Sequence, residues 1–91
     1  MIISQAEVTT WYDATSDWWK NRTWPENIAR EIAALKSGDV IAGEPNGKGI
    51  LFWEKNGRYN QRCEMALLGA ALFLRTTDMI EEFSPSHYRV K

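Results

Sequence analysis

Ten consecutive residues, Met65 to Leu74, carry no charged or polar side chain. A helix over this stretch is apolar around its whole circumference, so it belongs inside the molecule rather than on its surface. It is too short to cross a bilayer, which takes roughly 20 such residues. The rest of the chain must therefore wrap this segment. The spacing predicts a helix starting near Asn60 or Gln61 and ending near Arg75. Ala66, Gly69 and Ala70 leave a shallow flank where another element can approach closely.

The wrapping elements are legible on both sides. Ser4-Gln5-Ala6-Glu7 has the spacing of a capping box. Val8, Trp11, Thr15 and Trp18 follow at steps of three and four, widened by Tyr12 and Trp19, with Thr9, Asp13, Asp17 and Lys20 on the opposite face, which favours a helix, although Val8-Thr9-Thr10-Trp11-Tyr12 also suits a strand. Thr23-Trp24-Pro25-Glu26 is a second capping signature, with proline in the first turn, where its missing N–H costs nothing. Ile28, Ile32 and Leu35 form its stripe, and Ser37-Gly38 closes the helix. Val40-Ile41-Ala42 and Ile50-Leu51-Phe52-Trp53 read as strands around a loop dense in turn formers. Asn56-Gly57 favours a type I′ hairpin returning through Arg58-Tyr59-Asn60. Beyond the buried helix, Thr77 to Ile80 begins a short amphipathic helix, or continues the previous one, and Pro85 stops it. The reading is one α+β domain over residues 1–91. It has two N-terminal helices, an antiparallel hairpin or three-stranded meander, a long buried helix and a short C-terminal helix. Residues 84–91 form a polar, mobile tail.

With 91 residues the chain suits a single domain. One cysteine, Cys63, cannot form an internal bridge, and Met1-Ile2-Ile3-Ser4-Gln5 lacks the features of a signal peptide. Both point to a reducing, cytoplasmic setting without membrane contact. The net charge of −1 is unevenly spread: residues 1–45 hold four Lys/Arg and seven Asp/Glu, residues 46–91 seven and five. Long-range attraction of the whole molecule to nucleic acid is therefore weak, while a local basic patch is available.

Motifs for chemistry fail on spacing or partners. Gly43 to Lys48 has three residues between its glycines where a phosphate-binding loop has four, and Gly49 stands where that loop needs a hydroxyl. A lone His87 and a distant Cys63 do not make a zinc site. Cys63 lacks an evident base, Asp13 and Asp17 share a polar helix face, and Glu81-Glu82 has no placed partner. No catalytic residue, metal or cofactor is expected.

Two binding surfaces stand out. Trp11, Trp18, Trp19 and Trp24 lie within 14 positions of one another, and tryptophan is a favoured anchor at protein interfaces. Adjacent Trp18 and Trp19 cannot enter one pocket from a single helix, so at least one of the four rings is expected at a contact. The first reading is a non-enzymatic protein-binding module, an adaptor or inhibitor acting on another protein or on a second copy as a homodimer. Small aromatic-rich chains of this kind are common among phage and mobile-element accessory proteins. The alternative is nucleic-acid binding by Lys48, Lys55, Arg58 and Arg62 beside Trp53 and Tyr59. There the order helix, strand, glycine-rich loop, strand resembles that around a winged-helix wing. A recognition helix is not evident, since residues 26–36 offer only Asn27, Arg30 and Lys36 on the outer face.

Overall fold

A computed structural model describes residues 3–15, 23–45, 51–59 and 64–91, with the backbone alone at 44–45, 51–53, 59 and 64. Helix α1 spans Gln5–Ala14, α2 Pro25–Ala33 and α3 Glu64–Thr76. Five strands are described, three between α2 and α3 and two after α3: β1 Val40–Pro45, β2 Leu51–Lys55, β3 Arg58–Tyr59, β4 Ile80–Ser84 and β5 His87–Val90. They form one antiparallel sheet in the order β3-β2-β1-β5-β4. The α+β reading holds, and the sheet is larger than a hairpin or three-stranded meander.

Ser4 caps α1 as its spacing implies. Its Oγ accepts from the Glu7 N–H at 3.2 Å, and its hydroxyl donates to the Glu7 carboxylate at 3.2 Å. The helix ends at Ala14, where the Thr15 N–H turns back to the Trp11 and Tyr12 carbonyls. The expected continuation through Trp18 and Trp19 lies outside the described residues. Helix α2 begins one residue later than the capping signature implied. Trp24 is its N-cap, with no side-chain cap bond, and Pro25 opens the first turn. Thr23 is buried instead, and its carbonyl accepts the Tyr12 hydroxyl at 2.9 Å, tying α1 to the start of α2.

Chain order explains why α3 is apolar all round. It leaves β3 at one edge of the sheet and delivers the chain to β4 at the other. It packs against β2 and β4 on the sheet side and against α2 on the helix side. Leu67, Leu68, Ala70, Ala71, Phe73 and Leu74 join Val8, Tyr12, Ile28, Ile32, Leu35, Ile41, Ile80, Tyr88 and Val90 in one core.

Two connections rest on backbone that favours glycine. Gly38, at φ +90°, carries the chain from α2 into β1 and donates its N–H to the Val90 carbonyl at 2.8 Å. Asn56-Gly57, at φ +52° and +79°, makes the expected two-residue hairpin turn between β2 and β3. Asn56 also accepts from the Val40 N–H at 2.9 Å and donates to Asp39 at 3.2 Å, fixing the mouth of β1.

The C-terminal segment departs from expectation. The short helix beginning at Thr77 does not form. Asp78 takes a left-handed φ of +58°, the Met79 N–H reaches back to the Leu74 carbonyl and the Asp78 N–H to that of Arg75. This is a Schellman end to α3, with aspartate in the position usually held by glycine. Ile80–Ser84 then runs as β4, and Pro85-Ser86, with Ser86 at φ +59°, turns it into β5. The expected polar tail is thus a strand between β1 and β4. Tyr88 and Val90 enter the core on alternate positions, while Arg89 faces outward.

Candidate functional site

The aromatic set is placed in part. Trp24 is 50% exposed, the largest such value among the exposed large hydrophobic residues described. N-cap positions favour Ser, Thr, Asp or Asn because their side-chain oxygens satisfy free helix amides. An indole at that position cannot accept such a bond. Trp24 therefore gives α2 neither a cap nor a fully covered ring.

Trp11 is half-buried. Its ring meets Phe73 edge-on, with centroids 5.5 Å apart at 76°, which holds α1 against α3. Two open concavities flank it. One, of about 500 Å³, is lined by Trp11, Thr15, Leu72, Arg75 and Thr76. The other, of about 520 Å³, is lined mainly by Trp11, Ala6, Thr10, Ala14, Phe73 and Thr77. Trp18 and Trp19 lie outside the described residues.

The basic set is not brought together among the described residues. Lys48 and Arg62 lie outside them, and Trp53 and Tyr59 are placed by backbone alone. Lys55 turns toward the helices and donates from Nζ to the Ala34 carbonyl at 3.2 Å. Arg58 is exposed beside the hairpin turn. Nor is the β1–β2 hairpin a free wing, because β1 is paired on both sides. Cys63 also lies outside the described residues. His87 sits on β5, its Nδ1 at 2.8 Å from the Pro85 carbonyl. Asp13 is exposed on α1, and Asp17 is not described.

Sequence reasoning missed a second surface at the outer edge of the sheet. Met79 and Phe83, 36% and 46% exposed, lie on either side of Glu81 and Glu82. The Arg89 guanidinium stacks over the Phe83 ring at 4.4 Å, and the His87 ring lies 6.1 Å from it. On the helix side of the same strand, Arg75, Ile80, Glu82 and Tyr88 line a concavity of about 200 Å³. Arg75 stands 5.6 Å over the Tyr88 ring. Burial raises the Tyr88 phenol above its ordinary pKa, and its hydrogen bond to Glu82 adds to this. The signal for this surface was the alternation of Tyr88 and Val90 with polar neighbours, which marks a strand.

Comparisons with protein-family models, curated proteins and solved structures returned no match.

Proposed function

We propose that this chain is a non-enzymatic protein-binding module, an adaptor or inhibitor, whose contact surface includes Trp24. The supporting observation is the 50% exposure of that ring at a helix N-cap, where it supplies no capping bond. Large exposed aromatic rings are costly to leave in water and are typical anchors at interfaces. Trp11 adds a second ring bordering two open concavities. Trp18 and Trp19 fall between these two in sequence and extend the same aromatic segment.

A photoreactive phenylalanine analogue at position 24 tests this reading. Irradiated in the host extract, it should cross-link a discrete protein, or a second copy of the chain, identified by mass spectrometry. The same species should be lost from affinity capture with Trp24→Ala and Trp24→Ser chains that retain native circular dichroism. Unchanged capture by both folded variants would remove Trp24 from the contact surface.

A further inference from the structure

Among the described residues strand β4 forms one edge of the sheet, and the ladder fixes which of its backbone groups face outward. The Lys91 N–H donates to the Met79 carbonyl at 3.0 Å, and Glu81 stands opposite Arg89. Bonded pairs alternate along an antiparallel ladder, so Glu81 spends its N–H and C=O on β5. Ile80 and Glu82 direct theirs away from β5, to the open edge. The Val90 backbone agrees with this phase, since it bonds to Asp39 and Gly38 on the β1 side rather than to Ile80.

Edge strands are commonly blunted by charge or by a bulge. Strand β4 has both, with Glu81 and Glu82 along it and a register shift between Glu82 and Ser84. Defence alone does not account for the apolar Met79 and Phe83 exposed on either side of the charge. Nor does it account for the concavity lined by Arg75, Ile80, Glu82 and Tyr88, which lies where an added strand would place a side chain.

We propose that the β4 edge accepts an extended peptide as a sixth, antiparallel strand, with a basic residue flanked at two positions on each side by apolar ones. The backbone of Ile80 and Glu82 would bind the peptide main chain. The central cation would face Glu81 on the outer side of the sheet. The two apolar residues would lie near Met79 and Phe83, and one intervening side chain would enter the concavity beside Arg75 and Tyr88. Charge selects this occupant over a second copy. Pairing β4 with itself about Glu81 sets carboxylate opposite carboxylate, and pairing about Glu82 does the same, and like charges directly opposed across strands are destabilising. Arg75 borders both this concavity and one of those beside Trp11, but Trp24 lines neither, so substitutions at Trp24 and at Glu81 test the two proposals apart.

The probe is the blocked peptide Thr-Val-Thr-Lys-Thr-Val-Thr, with the same peptide carrying Glu at its centre as control. Amide hydrogen exchange is read by NMR on the full chain. With nine-tenths of the chain occupied, exchange at Ile80 and Glu82 should slow about tenfold, because only the free fraction exchanges. The Glu81→Lys chain should reverse the preference and bind the Glu peptide the more tightly, by roughly three- to tenfold. Glu82→Pro removes one outward N–H and should abolish protection at Ile80; where that variant fails to fold, the charge reversal decides alone. Trp24→Ala should leave all of this unchanged. No protection at millimolar peptide would overturn the proposal, as would equal protection by both peptides. So would concentration-dependent protection of the same amides without peptide, which would assign the edge to a second copy.

Discussion

Replacing Trp24 by alanine removes a ring that is 50% exposed and leaves the α2 N-cap without a side-chain acceptor, as it is now. A covered tryptophan buries about 150–250 Å², so the covered half is about 100 Å² and contributes at most about 2.5 kcal/mol. Serine at the same position loses the same ring but brings a hydroxyl oxygen within reach of the Glu26 amide, while the Asn27 amide already donates to the residue-24 carbonyl at 3.0 Å. The backbone there, at φ −118° and ψ 155°, already has the extended conformation of an N-cap. Serine should therefore recover about 1 kcal/mol relative to alanine. Urea unfolding followed by far-ultraviolet circular dichroism should rank the native chain first, serine second and alanine last, with equal slopes. Partner capture should be lost equally in both variants. A serine chain no more stable than the alanine chain would refute the capping argument and move the start of α2 away from Pro25. A loss above about 4 kcal/mol for alanine would place the ring in the core, in the range of fully buried aromatic deletions.

Three further outcomes follow from the same structure. Truncation after Ser86 removes β5, with buried Tyr88 and Val90, from between β1 and β4; the truncated chain should show no cooperative thermal transition, whereas a dispensable tail would leave the melt intact. Tyr12→Phe deletes the hydroxyl that donates to the buried Thr23 carbonyl at 2.9 Å; it should cost about 1–2 kcal/mol in urea unfolding, and a neutral result would show that water replaces the bond. The Asp39 carboxyl is held below its ordinary pKa chiefly by the Lys36 N–H at 2.9 Å, with help from Asn56, Lys55 and Lys36. Its folded value is depressed, so its stabilisation is present above the unfolded pKa of about 4 and fades as pH falls through the folded value. Asp39→Asn should thus lower the urea midpoint at pH 7 and matter less at pH 3; an equal effect at both would exclude the charge as the cause.

The helical half of this fold was legible because its signals are local. Ser4 and Glu7 cap α1 within one turn, Ile28, Ile32 and Leu35 point to one side, and Met65 to Leu74 leaves no polar face. The Asn56-Gly57 turn was legible for the same reason. The β4–β5 hairpin was not, because Met79, Ile80 and Phe83 also repeat at helical spacing and only Ile80 in β4 is buried. What decides the matter is non-local: β5 pairs with β1, which no window around residue 88 contains. Aspartate at position 78 in place of glycine hid the helix stop as well. Of the candidate site residues, Trp24 announced itself by type but not by its place at the N-cap. Met79 falls in the segment expected to begin a short helix that does not form, and Phe83 carried no sequence signal of its own.

The position of β5 has a consequence for how the chain is made. It is translated after β1 to β4, yet it lies between β1 and β4 in the finished sheet. A ribosome that has released β1, β2 and β3 leaves the inner edge of β1 open until residues 87–90 emerge, about a third of the chain length later. Contacts of such long sequence separation slow folding and expose partly built sheets to wrong pairing. The moment of greatest hazard for this protein therefore falls during its synthesis, and the strand that ends it is one that local sequence reads as a tail.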